Sequence, residues 1–70
     1  MMPLIYAETG SPQIIRKIGG SPEVKKHLED LGFTVGGEAS VISSLGENLI
    51  LKVKESRVAV SEELARKIMV

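Results

Sequence analysis

Cysteine is missing from all 70 residues, which excludes disulfides and thiolate metal sites and makes a reducing compartment, the cytoplasm, the expected setting. Aromatic rings are nearly missing too. Tyr6 and Phe33 are the only two, so a core has to be assembled from Ile, Leu, Val and Ala. No sign of charge is in excess: nine basic and nine acidic residues give a formal net charge of zero, without the long-range field expected of a nucleic-acid or anionic-membrane binder. No apolar run approaches the roughly 20 residues that a membrane span requires. The N-terminal stretch, with Glu8 and no early Lys or Arg, does not resemble a signal peptide. A chain this short forms one domain, residues 1–70, and buries only about 60% of its unfolded surface, so a deep enzyme cleft is not expected.

Between Ser21 and Ile42 the local signals are dense. Ser21 is a good N-cap and Pro22 suits the first helical position, where no amide partner is needed. Val24, Leu28 and Leu31 then follow at i, i+4 and i+7, with Glu23, Lys25, Lys26, Glu29 and Asp30 on the remaining faces. Gly32 comes where a left-handed residue ends many helices, and Phe33 can pack back on the last turn. The pattern predicts a helix over about 21–31.

The rest of the chain reads as short strands. Met2 to Tyr6 is expected to be extended, with Pro3 at a strand start or on an edge because it lacks a ladder donor. Gln13 to Ile18 reads as a strand in which Ile14, Ile15 and Ile18 fail to alternate, which predicts a bulge or a switch of face. In the next strand Ala39, Val41 and Leu45 share one side and Glu38, Ser40 and Ser44 the other, with Ile42 out of pattern. Gly46 to Asn48 turn the chain into Leu49, Leu51 and Val53, apolar on one face, with Lys52 and Lys54 opposite. Val58 to Val60 make a third strand. Ser61 caps a short terminal helix over about 62–68, with Glu62 and Glu63 beside its positive end and Leu64, Ile68 and Met69 as its apolar side. Several short strands with one aliphatic face to hide will curl, because closure removes exposed edges. The expectation is a mainly β fold: a small, partly open barrel with one inserted helix.

Few side chains here could do chemistry. Glu23, His27 and Asp30 lie on one helix near enough to share a surface metal ion, but without cysteine or a second histidine they form a weak chelator, and solvated surface is the expected reading. No glycine-flanked Ser elbow accompanies His27, and the adjacent pairs Glu62–Glu63 and Glu29–Asp30 splay apart on a helix, so neither nucleophilic nor paired-carboxylate catalysis is expected. Gly19 and Gly20 precede a helix without the GxxxxGK[ST] spacing, so they read as a turn rather than a phosphate cradle. Lys52, Lys54 and Arg57 make the one basic cluster, but no aromatic platform stands beside them for bases to stack on, and Glu47 and Glu55 dilute the field. What remains is work by contact with another macromolecule.

Two segments, His27 to Ile42 (HLEDLGFTVGGEASVI) and Asn48 to Val70 (NLILKVKESRVAVSEELARKIMV), resemble the ferrous iron transport protein A (FeoA) family. The features carried over are Leu4 and Gly10, Leu28-Leu31-Gly32-Phe33, Gly36, Val58-Ala59-Val60 and Ile68-Met69-Val70, in order across nearly the whole chain. Val35 stands where the family often has Pro, and Glu55-Ser56 where a turn Gly is usual. The resemblance implies an SH3-like barrel without a cofactor or a reaction of its own. It also implies a cytoplasmic partner of a GTP-hydrolysing membrane ferrous-iron transporter of the FeoB type. An alternative is a regulatory or nucleic-acid-binding barrel related to the C-terminal domain of iron-dependent repressors, against which stands the lack of DNA-binding helices. The expected partner surface comprises Lys26, His27, Asp30, Phe33 and Thr34, on the inserted helix and the loop after it. An uncovered strand edge near Met2 is the expected place for weak pairing between copies, with Pro3 opposing it.

Overall fold

A computed structural model describes residues 1–70. Its elements are a 3₁₀ turn (Leu4–Tyr6), β1 (Gln13–Ile14), β2 (Lys17–Ile18), α1 (Pro22–Asp30), β3 (Glu38–Leu45), β4 (Asn48–Val53), β5 (Ser56–Ser61), α2 (Glu62–Ala65) and β6 (Ile68–Met69). β4 is the centre. Its Leu49, Leu51 and Val53 are buried while Lys52 faces out, as strict alternation requires, and it pairs antiparallel with β3 on one side and β5 on the other. The order β1-β3-β4-β5 makes one sheet and β2-β6 a second. Together they form the mainly β, partly open SH3-like barrel read from the sequence, with α1 inserted between strands and Phe33, Leu4, Ile15, Leu28, Leu51 and Ile68 filling its interior.

The Gln13–Ile18 stretch switches sheets. Gln13 and Ile14 pair with Ala39 and Glu38, while Lys17 and Ile18 pair with Met69 and Ile68. Between them the Ile15 amide donates to the Gly37 carbonyl (2.8 Å) and the Arg16 amide to that of Met69 (2.8 Å). The corner turns Ile14 outward and buries Ile15 and Ile18, which is why the three isoleucines do not alternate.

α1 forms as its local signals dictate. The Val24 amide donates to the Ser21 hydroxyl at 3.3 Å. At the other end Gly32 has φ 110°, its amide donates to the Glu29 carbonyl and that of Phe33 to Leu28, both at 2.9 Å. This is a Schellman cap, in which a left-handed residue lets two later amides satisfy carbonyls of the last turn. Leu28 is buried, with Val24 and Leu31 half-buried against the same core.

Four expectations need correction. Met2 to Tyr6 is extended only as far as Pro3, which bridges Met69; Leu4–Tyr6 then wind into the 3₁₀ turn that buries Leu4. The uncovered edge expected near Met2 is occupied: the Met2 amide donates to the Val70 carbonyl (2.9 Å) and the Val70 amide to that of Met2 (2.8 Å), joining the two ends of the chain. The C-terminal helix is shorter than 62–68. Ser61 caps it, its hydroxyl accepting from the Leu64 amide at 3.2 Å, but the helix ends at Ala65, and Ile68 and Met69 leave the helical face to pair with β2. A β-bulge between Val41 and Ser43 absorbs Ile42 and inverts the alternation beyond it, so Ser44 lies opposite buried Leu49 and Leu45 is 70% exposed.

The two hairpins are closed differently. Between Leu45 and Asn48 the first turn residue is Gly46, at φ 63°; between Val53 and Ser56 it is Lys54, the one non-glycine residue with positive φ, at 56°. A Cβ at such an angle crowds the following carbonyl at a cost of roughly 1–2 kcal/mol. Lys54→Gly is therefore expected to raise stability by about 0.5–1 kcal/mol after the extra chain entropy of glycine is subtracted, read as a higher urea midpoint with an unchanged slope.

Candidate functional site

The exposed face of α1 carries three of the residues expected to meet a partner. Lys26, His27 and Asp30 all lie open to solvent, and Thr34 is exposed in the loop that follows. Lys26 and Asp30 are four residues apart, yet they form no ion pair; the protein's single ion pair is Glu62–Arg66 on α2, at 2.7 Å. With the cation N-terminal to the anion the spacing is in the less favourable order relative to the helix dipole, which leaves both charges free. In α2 the order is reversed, and the Glu62 hydrogen bond, assisted by attraction to Tyr6 and Glu62, holds the Arg66 guanidinium above its usual pKa.

Phe33 is not part of this surface. It is completely buried, because the Schellman cap turns the chain so that the residue after Gly32 drops its ring onto the core. The apolar residue that does stand out here is Val35, 65% exposed, which the sequence reading passed over as a departure from a pattern. Thr34 to Gly37 form a turn closed by the Gly37 amide on the Thr34 carbonyl (2.9 Å), with Gly36 at φ 90°. That is the type II arrangement, whose second position favours Pro, so Val35 accounts for its own departure: the turn accepts Pro there and also tolerates an exposed valine.

Glu23, His27 and Asp30 do not gather into a chelating group; no set of three or more His, Asp or Glu side chains anywhere in the chain is placed to hold an ion. All three project from the helix into solvent, with nothing packed around them to draw them together.

Lys52, Lys54 and Arg57, in contrast, are brought together. Lys52 lies directly across from Ser40 on one side and Arg57 on the other, so Lys52 and Arg57 share the outer face of the sheet. With Lys54 and Glu38 they line an open depression of about 390 Å³. No aromatic ring lines it, so it offers charge and hydrogen bonds without a stacking surface. No helix is long and apolar enough to cross a membrane.

Comparison with known proteins gives one result. The FeoA domain model matches residues 2–70. A protein of Methanocaldococcus jannaschii assigned as an Fe(2+) transport protein A is 33% identical over 70 residues, spanning 100% of this chain and 85% of its own. A crystal structure of an iron uptake regulatory protein (FeoA) superposes with a TM-score of 0.86 at 27% identity, covering 96% of this chain and 89% of that one. The zinc-bound structure of ScaR is similar with a TM-score of 0.82, but at 17% identity and over 35% of that protein's length the likeness shows the fold alone.

Proposed function

Since the chain belongs to the FeoA domain family, whose members are small accessory proteins of ferrous iron transport rather than a known class of enzyme, we propose that it works in the cytoplasm by docking on a FeoB-type ferrous-iron transporter and modulating it. The observation that carries this reading is the match of the family over residues 2–70. The α1 face supports it as the docking surface. Lys26 and Asp30 are exposed charges without a partner in the molecule, and Thr34 and Val35 next to them add a polar and an apolar contact on a turn held rigid by its own hydrogen bond. Charges of both signs around an apolar contact favour one orientation of a complementary partner over others.

Exchange of the two charges, Lys26→Glu with Asp30→Lys, is expected to weaken binding to the purified cytoplasmic part of the transporter about tenfold, which corresponds to about 1.4 kcal/mol. The fold should be untouched, since both side chains lie outside the core. Unchanged affinity in a calorimetric titration removes this face from consideration. The alternative, a regulatory barrel acting on nucleic acid, draws on the ScaR likeness, which extends no further than the fold.

A further inference from the structure

We propose that the free edge of β5 is a second docking site, for an extended acidic segment of a partner protein that adds to the sheet beside β5 and lays its carboxylates on Lys52, Lys54 and Arg57. β5 ends the strand order β1-β3-β4-β5, and its six residues pair with β4 alone. The two-residue turn at Lys54–Glu55 closes on the Val53–Ser56 pair, which in an antiparallel hairpin is the hydrogen-bonded one. Alternation from that pair points the backbone amides and carbonyls of Ser56, Val58 and Val60 toward β4 and those of Arg57 and Ala59 away from the sheet. None of the backbone hydrogen bonds made outside the regular elements involves Arg57, Val58, Ala59 or Val60. The outward groups of Arg57 and Ala59 thus have no partner in the molecule.

Of the devices that ordinarily blunt such an edge, β5 carries only a charged side chain, Arg57; the others are proline, a bulge, a covering segment or a very short strand. The other end of the sheet is protected in the last way, since β1 has only two residues and runs straight into β2. β5 has no proline, and its register with β4 runs from Val53–Ser56 to Asn48–Ser61 without a shift. Exposed Ala59, with a side chain of one methyl, leaves the backbone open to approach.

Charge selects the occupant. Arg57 lies beside Lys52 in register, and both line the depression with Lys54, where Glu38 on β3 is the only acid. The other acids close by are exposed Glu55 in the turn and, at the far end of β5, exposed Glu47, whose carbonyl accepts from the Glu62 amide, with Glu62 and Glu63, of which Glu62 is already paired with Arg66. In a chain of zero net charge this is a local excess of cations beside an unpaired strand, so an added strand with carboxylates on the outer face satisfies backbone and side chains together. A second copy fits less well. Two β5 strands paired about a two-fold axis normal to the sheet place both cationic clusters on the same face, where like charges repel.

The test uses the full chain and a ten-residue capped peptide alternating Glu with Val and Thr, compared with its Glu-to-Gln analogue. Titration followed by amide NMR is expected to shift the signals of residues 56–60 and to slow hydrogen exchange at the Arg57 and Ala59 amides, with the Gln analogue binding about tenfold more weakly. Arg57→Glu should weaken the Glu peptide by a similar factor, and Ala59→Pro, which removes an outward donor at an edge where proline is tolerated, should abolish binding. If Ala59→Pro does not fold, Arg57→Glu and the exchange rates of the parent protein decide. The proposal is overturned by equal affinity for the two peptides, by the absence of binding, by shifts at Lys52, Lys54 and Arg57 without slowed exchange at Arg57 and Ala59, which means anion binding only, or by protection of those two amides without peptide in a dimer, which gives the edge to a second copy. Because the probe is a generic peptide, none of these results bears on α1 and the transporter.

Discussion

Phe33→Ala is expected to leave the protein largely unfolded in mild denaturant. Removing a completely buried phenylalanine costs about 3–5 kcal/mol, the sum of lost transfer energy and the cavity left behind. A domain of this length has roughly 4–10 kcal/mol in total, so the substitution takes from about a third to all of it. The site cannot easily collapse, because Phe33 is the only aromatic ring in the core and its backbone is pinned by the hydrogen bond from its amide to the Leu28 carbonyl. Phe33→Leu, which retains most of the volume, should cost about 1–1.5 kcal/mol. Urea unfolding followed by far-UV circular dichroism separates the two, and an alanine variant as stable as the parent contradicts the burial. The result also bears on interpretation of binding data: loss of partner binding in Phe33→Ala reports unfolding and not a contact.

Removal of the last three residues, Ile68 to Val70, should have an effect at least as large. Ile68 is completely buried and Val70 nearly so, and with them goes β6, the sole strand partner of β2. Met2 loses both of its backbone bonds to Val70, and the Arg16 amide its acceptor on Met69. Truncating one fully buried isoleucine alone costs about 2–5 kcal/mol, so the deletion is expected to exceed about 4 kcal/mol and to lower the melting temperature by more than about 15 °C. Thermal scans of the parent and the shortened chain decide it. A midpoint within a few degrees of the parent rules out any role for the paired termini in closing the barrel.

The sequence by itself determined those features whose causes lie within a few residues of their effects. Ser21, Pro22 and Gly32 set both ends of α1 because capping is a matter of one turn; the alternation of Leu49, Leu51 and Val53 oriented β4 because side-chain direction follows from the pleat; Ser61 marked the start of α2 for the same reason as Ser21. The cluster of Lys52, Lys54 and Arg57 was legible too, since a tight hairpin has to bring its flanks together. Tertiary structure alone decided the rest. Ile68 and Met69 suit a helix or a strand equally, and β2, some fifty positions earlier in the chain, made them a strand. Gln13 to Ile18 divided between two sheets because different distant partners took each half, and Leu45 turned outward because a bulge one turn of pleat away changed its parity. Phe33 was read both as packing back on α1 and as part of the partner surface, and only the first holds, since it lies at the centre; the open edge stands at β5 instead of near Met2. Each of these outcomes is a choice among pairings that are locally almost equivalent, and only the packing of residues remote in sequence makes one of them lower in free energy.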